Sequence, residues 1–103
     1  MRRGDICWVK FPSPVGRRPA VLVSREEAFS VRTRITVVPL TRTVRGMATE
    51  VRFGPGDGLP KPRVANADEL VTISKDLIEE RIATASGARM RELEEALRFA
   101  LGL

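Results

Sequence analysis

Apolar positions along the chain come in short bursts first and in a helical stripe last. Residues 4–11, GDICWVKF, alternate loosely and are rich in Ile, Trp, Val and Phe, side chains that fit a pleated, half-buried surface, so a strand is predicted there. Residues 12–19, PSPVGRRP, carry three prolines and a glycine and predict a turn-forming loop. AVLVS (20–24) is a wholly apolar run with a single polar end, the pattern of a strand covered on both faces. RITVVPL (34–40) predicts a third strand, with Pro39 confining its end to an edge or a bulge because proline has no main-chain N–H to donate. MATEVRF (47–53) sets Met, Thr, Val and Phe against Ala, Glu and Arg and reads as half-buried. GPGDGLPKP (54–62) predicts a long, mobile loop; RVANADELVTI (63–73) predicts one or two strands and RIATA (81–85) a last short one.

The end of the chain changes period. In SGARMRELEEALRFALGL, Met90, Leu93, Leu97, Ala100 and Leu101 recur at helical spacing, and Gly102 is placed to stop the helix. Arg91–Glu95 and Glu94–Arg98 are opposite charges four residues apart, so two ion pairs along the helix are expected. Several short strands followed by one amphipathic helix predict a mainly β chain with α: a small, strongly bent sheet or barrel carrying the helix. At 103 residues, a single domain spanning 1–103 is expected.

Composition sharpens this picture in two ways. No run approaches the roughly 18 apolar residues of a membrane span, and no apolar stretch follows the arginines of MRRGDICWVK as a secretory signal requires. With Cys7 the lone cysteine, no intrachain disulfide can form, and a cytoplasmic location with no membrane partner is expected. The net charge is +5 and is unevenly spread: residues 1–63 carry 13 Arg/Lys against 5 Asp/Glu, residues 64–103 carry 5 against 8. Most of the cations are arginine, whose planar fork grips phosphate bidentately and stacks on bases, so the basic two-thirds favour an anionic partner.

The absences prune the chemistry. Without histidine there is no Ser-His-Asp or Cys-His arrangement, and one cysteine cannot build an ordinary zinc site. GPGDG lacks the lysine and following helix of a phosphate loop, and Asp76, Glu79 and Glu80 beside a turn read as a solvated face rather than a metal centre. Neither metal nor cofactor is expected. Arginine, hydroxyls and carboxylates can still break RNA, because RNA carries its own nucleophile in the 2′-hydroxyl; the protein need only orient it, help move protons and stabilise the charged phosphorane. Arg18 is pushed towards an extended conformation by Pro19, at the head of a buried strand. Thr41 stands just beyond the neighbouring apolar strand. If the two strands pair antiparallel, Arg18 and Thr41 can meet. By pattern alone, Arg17 and Arg18 could equally solubilise a loop, and Thr41 could simply begin a turn.

Four blocks in order, RRGDICWV, GRRPAVLVS, ITVVPLT, and GL followed by VANADELVTI, together with the closing RIATASGARMRELEEALRFALGL, resemble the MazF/PemK family of toxins from type II toxin–antitoxin systems. The resemblance covers nearly the whole chain. It implies a homodimeric, SH3-like β-barrel of the CcdB/MazF kind with a C-terminal helix. It also implies metal-independent, sequence-specific endoribonuclease action on single-stranded RNA, leaving a 2′,3′-cyclic phosphate and a 5′-hydroxyl. The family's catalytic arginine and threonine map onto Arg18 and Thr41. Arg17, Arg42, Arg45 and Arg52, with Asp68 and Glu69, are then expected along the RNA path. An antitoxin with an acidic, disordered segment is the implied inhibitor.

The sequence departs from the family's pattern in two places. The loop before RP is short, lacking the Gly/Glu-rich insert of many relatives. Glu69, Val71 and Ser74 stand where relatives often have Gln, Arg and Asp, which alters the RNA accepted. A gyrase-poisoning toxin of the CcdB kind and a non-catalytic RNA-binding barrel are the alternative readings.

Overall fold

Seven strands and two helices follow one another in a computed structural model that describes residues 1–103. In chain order they are β1 (Asp5–Lys10), β2 (Arg17–Leu22), a single-turn helix α1 (Ala28–Val31), β3 (Arg34–Thr41), β4 (Glu50–Phe53), β5 (Arg63–Asn66), β6 (Val71–Ser74), β7 (Ile78–Thr84) and α2 (Gly87–Leu101). The sheet order is β4-β5-β3-β2-β1-β7, with β6 paired to β3 off this path, and every pairing is antiparallel. The path's ends, β4 and β7, do not bond to each other, so the bent sheet stops short of a closed barrel.

The apolar runs are explained by packing on both faces of this sheet. Side chains alternate along a strand, and here both alternants are covered. Val21 of β2 and Val38 and Leu40 of β3 join Phe53, Leu93 and Ala96 in one core beneath α2. Ala20 and Leu22, with Ile35 and Val37, join Val9, Phe11 and Ile73 in a second core on the opposite face. Each such fully buried Val or Leu contributes about 1.5–3 kcal/mol, so a polar residue is not tolerated at either parity of AVL.

Pro39 departs from expectation. It lies on neither an edge nor a bulge, since β3 is central and pairs Ala20 of β2 with Pro39. On its other side β3 pairs β6 through Arg34–Val37 and β5 through Leu40–Thr41. Proline falls in the gap between those two partners, where no donor is needed. The loop at 54–62 is also more ordered than its breakers suggest. Asp57 accepts a hydrogen bond from the Gly54 N–H at 2.8 Å and pairs with Arg89 at 3.0 Å, and Leu59 is buried. Gly58, at φ 89°, makes the turn into Leu59, and a Cβ there would sit 2.8 Å from that of Ala83.

Helix α2 begins at Ser86, whose hydroxyl accepts from the Arg89 N–H at 3.1 Å, and ends at left-handed Gly102, after which the Leu103 N–H donates to the Arg98 carbonyl at 2.9 Å. Leu93 and Ala96 are buried, while Leu101 is exposed. The two ion pairs expected along α2 do not form. Glu94 instead reaches Arg3 at 2.9 Å, and Arg89 pairs with Glu92 and Asp57. For Glu94 a tertiary partner outcompetes an exposed i,i+4 contact worth only a few tenths of a kcal/mol, while Arg91 and Glu95 stay exposed and unpaired. Cys7 is buried, and burial followed by the charge of Asp5 pushes its thiol up to about 11, so it stays protonated at neutral pH. No helix is long and apolar enough to cross a membrane.

Candidate active site

The ladder between β2 and β3 runs from Leu22–Val37 to Ala20–Pro39 and stops. A proline causes the stop. In an antiparallel pair, alternate residue pairs exchange hydrogen bonds. The Val23 N–H donates to the Thr36 carbonyl at 3.0 Å, so the bonded pairs are Val23–Thr36, Val21–Val38 and then Pro19–Leu40, where Pro19 has no N–H to donate. The strands part there, and the register, continued past the break, sets Arg18 opposite Thr41. Both side chains line a cavity of about 560 Å³.

Opposite residues of paired strands face the same side, which extends the site across the sheet. Val9 of β1 pairs with Arg18, Thr41 pairs with Val64 of β5, and Val64 pairs with Arg52 of β4. Arg18, Thr41, Val64 and Arg52 therefore form one transverse row, roughly 14 Å long at the usual strand spacing. The row has Thr41 and the buried Val64 in the middle and carries a guanidinium at each end. It sits where the second core gives out at Val9 and Phe11, so Arg18 is half-buried at the edge of an apolar mass. No carboxylate lies within ion-pairing reach of Arg18, and it makes no hydrogen bond within the chain. A guanidinium left free in a concave site suits an incoming anion.

Thr41 is half-buried, and its Oγ1 accepts from the Thr43 N–H at 3.3 Å, which fixes the rotamer and leaves the hydroxyl proton free to donate. Phe11, Pro12 and Val15 make one wall, so the short β1–β2 loop still reaches the cavity. Arg45, Glu50 and Glu69 lie on the opposite side. The Glu50 carboxylate accepts from the Arg45 N–H at 2.9 Å and the Met47 N–H at 3.0 Å; these bonds, the Arg45 one foremost, outweigh desolvation and hold its pKa below the usual carboxylate range. Glu50 is thus spent on ordering the 42–49 loop. Glu69 has no partner.

The remaining residues on the expected RNA path fall in three places. Arg17 has the opposite parity to Arg18 and does not line the cavity. It bonds Glu79 at 2.7 Å and Glu80 at 2.6 Å and lies over the Trp8 ring at 4.3 Å, and the Glu79 bond foremost raises its pKa. In the free chain the Arg17 charge is thus matched within the protein and stands outside the cavity lining. The same bonds take up Glu79 and Glu80, and no cluster of acids placed to hold a metal ion exists. Arg42 lies one step beyond Thr41, outside the cavity lining, and its charge acts on Arg63. Asp68 borders the cavity instead: its N–H donates to Asn66 Oδ1 at 3.0 Å, and its carboxylate lies 3.3 Å from the Thr49 hydroxyl.

Two residues were missed from sequence. Asn66, the lone asparagine, is buried and lines the cavity, where its Oδ1 also accepts from Thr49 at 2.8 Å. Arg63 opens β5 and donates to the Leu40 carbonyl at 3.3 Å. Burial lowers its pKa first, and the like charges of Arg42 and Arg18 lower it further. A concentration of positive charge with no matching acid thus borders the Arg18–Thr41 end. Nothing in the sequence signalled Arg63, because its neighbours come from another strand.

Known proteins with this architecture share the chain's whole length. The Mycobacterium tuberculosis protein "Probable endoribonuclease MazF5" is 35% identical over 100 residues, covering 96% of this chain and 91% of that protein. A solved structure described as Mycobacterium tuberculosis toxin MazF-mt6 superposes with a TM-score of 0.88 at 31% identity, covering 96% of this chain and 97% of its own. Another, an endoribonuclease in complex with its cognate antitoxin from a mycobacterial species, gives 0.87 at 30% identity, covering 100% and 96%. With residues 2–101 matching the profile described as PemK-like, MazF-like toxin of type II toxin–antitoxin system, the chain belongs to that toxin family.

Proposed function

We propose that this toxin is a metal-independent endoribonuclease that cleaves single-stranded RNA in the Arg18–Thr41 cavity. The observation that carries the reading is the unpaired, half-buried Arg18 facing Thr41 where the β2–β3 ladder breaks at Pro19. The relatives' names supply the reaction class. The scissile phosphate lies between the two side chains, with Thr41 donating its free hydroxyl proton to a non-bridging oxygen. Arg18 stabilises the phosphorane and assists proton transfer. The 2′-oxygen forms its bond to phosphorus as the P–O5′ bond breaks, giving a 2′,3′-cyclic phosphate and a 5′-hydroxyl. The proton lost by the 2′-hydroxyl is matched by one gained by the 5′-oxygen. A guanidinium is a poor base because its pKa exceeds about 12. Glu69, the one acid on the lining without a partner, takes the 2′-proton.

Arg52 and Arg45 hold flanking phosphates, and Asn66 and Asp68 border the bases and set the sequence read. Arg42, on the far side of Thr41, acts only through its field. The active form is a homodimer, silenced in the cytoplasm by an antitoxin whose acidic segment covers the same basic row. The direct test is to incubate the purified protein with long single-stranded RNA in EDTA and to map the ends. Discrete cuts with 5′-hydroxyl termini are expected; uncut RNA, or cutting that requires a divalent ion, would refute the reading. Replacing Glu69 by Gln is expected to lower single-turnover cleavage by about a hundredfold or more, and an unchanged rate would remove Glu69 from the proton path.

A further inference from the structure

A second concave site lies away from the Arg18–Thr41 cavity, on the opposite parity of β3 and β6. It encloses about 330 Å³ and is lined by Arg25, Arg32 and Arg34 with the hydroxyls of Ser24, Thr36 and Thr72, and no carboxylate lines it. The hydroxyls are held in place. Ser24 Oγ accepts from the Thr36 N–H at 2.8 Å, and the Thr36 and Thr72 hydroxyls lie 2.8 Å apart, sharing one hydrogen bond and leaving one proton to donate outward. Arg34 donates to the Thr72 carbonyl at 2.8 Å, which pins its guanidinium across the β3–β6 pair. Arg25 and Arg32 make no ion pair. The nearest acid in sequence, Glu26, is turned to Arg2 at 3.7 Å and to the Arg3 N–H at 3.3 Å. Three uncompensated guanidiniums converging on fixed hydroxyl donors make a site for a phosphate-type anion.

Its place relative to the cavity identifies the source of that anion. Val71 lines the cavity and Thr72 lines the second site, so adjacent residues of β6 serve the two. β6 pairs with β3 alone, leaving its other edge without a strand partner. From Thr41 to Thr36 along β3 the rise is roughly 17 Å, a span a few extended nucleotides cover. We propose that the Arg25–Arg32–Arg34 pocket anchors a phosphodiester of the RNA strand outside the cut, after the strand has crossed the open edge of β6. This rests on the ribonuclease reading above. It makes the protein prefer long substrates over short ones that fill the cavity alone.

The test uses the full chain with Arg25→Gln and Arg32→Gln combined. Both side chains are exposed and free of ion pairs, and the Arg34–Thr72 bond is retained. The probes are mixed-sequence 2′-O-methyl RNAs of about four and about sixteen nucleotides, which cannot be cleaved because the nucleophile is blocked. The double variant is expected to bind the longer RNA about tenfold more weakly at low salt. Its log–log salt dependence should be flatter by about 0.7, for the one phosphodiester held there. Affinity for the short RNA should stay unchanged, and the Arg25→Lys/Arg32→Lys pair should restore the slope. Unchanged affinity and slope with the long RNA, or equal losses on both lengths, would overturn the anchor.

Inorganic phosphate separates the two sources of the anion. Amide shifts of Ser24, Thr36 and Thr72 on phosphate titration, without any loss of long-RNA affinity in the variant, would assign a free anion and likewise overturn it. Cleavage of long RNA by the wild-type protein is scored in parallel. Cleavage with no length effect sinks the anchor alone, whereas no cleavage sinks the ribonuclease reading and leaves the binding comparison to decide the pocket.

Discussion

Replacing Arg18 by glutamine should separate catalysis from stability more cleanly than any other change. In the free protein Arg18 has no ion pair and no hydrogen bond, while Arg63, one of the closest cations, is repelled by it. Folding thus loses no specific contact and sheds some like-charge repulsion, so the change in stability should stay within about 0.5 kcal/mol. For a chain of this size that is a Tm shift of roughly 2–4 °C or less. The reaction loses far more. A preorganised donor aimed at charge that develops in the transition state contributes about 10²–10³ in kcat, or ~2.7–4 kcal/mol. Arg18 is charged, half-buried and free of any ion pair, which places the expected loss at the upper end of that range.

The assay is single-turnover cleavage of a long single-stranded RNA in EDTA, with thermal unfolding of the same preparation. Lysine at position 18 should recover part of the rate, since it keeps the charge but not the bidentate fork. A glutamine variant that cleaves at the wild-type rate would refute the assignment. A variant whose Tm falls by roughly 10 °C or more would refute the premise that Arg18 does no structural work.

Thr41→Val should lower kcat about a hundredfold by removing the hydroxyl donor, whereas Thr41→Ser should keep most activity; equal rates for the two would exclude hydrogen bonding as the role. Arg17→Ala, one residue from Arg18, should leave single-turnover cleavage unchanged while lowering the Tm, because the side chain is engaged with Glu79, Glu80 and Trp8; a selective loss of cleavage would put Arg17 back on the RNA path. Burial works to raise the pKa of Asp57, but the bond from Arg89, that from the Gly54 N–H and the Arg89 charge outweigh it and leave the pKa lowered. The stability it contributes is therefore fully present above the unfolded value of about 4 and fades as the pH falls through the lower folded value. Asp57→Asn should remove that part of the acid limb of a Tm–pH curve, and identical limbs for the two proteins would contradict it.

Much of this protein was already present in its one-dimensional pattern. The AVLVS run demanded cover on two faces, and the structure supplies a core on each. Ser86 and Gly102 bound a helix whose apolar stripe buries Leu93 and Ala96. These features are local: propensity, capping and alternation act within a few residues, and a sequence displays them directly. Arg18 and Thr41 were visible as candidates for the same reason, each at the end of an apolar strand, Arg18 directly before a proline.

What tertiary structure alone decided is which charges are already matched. Arg17 and Arg18 are adjacent and carry the same charge, yet strand parity sends one to Glu79, Glu80 and Trp8 and leaves the other unpaired in a cavity. Glu94 abandons Arg98 for Arg3, far away in the chain, and Pro39 is harmless in a central strand because β3 changes partners beside it. Arg63 and Asn66 reach the site, and Arg25, Arg32 and Arg34 close on a pocket, through contacts between strands distant in sequence. Coulombic and hydrogen-bond energies depend on distances in space, which pairing register fixes and residue spacing along the chain does not.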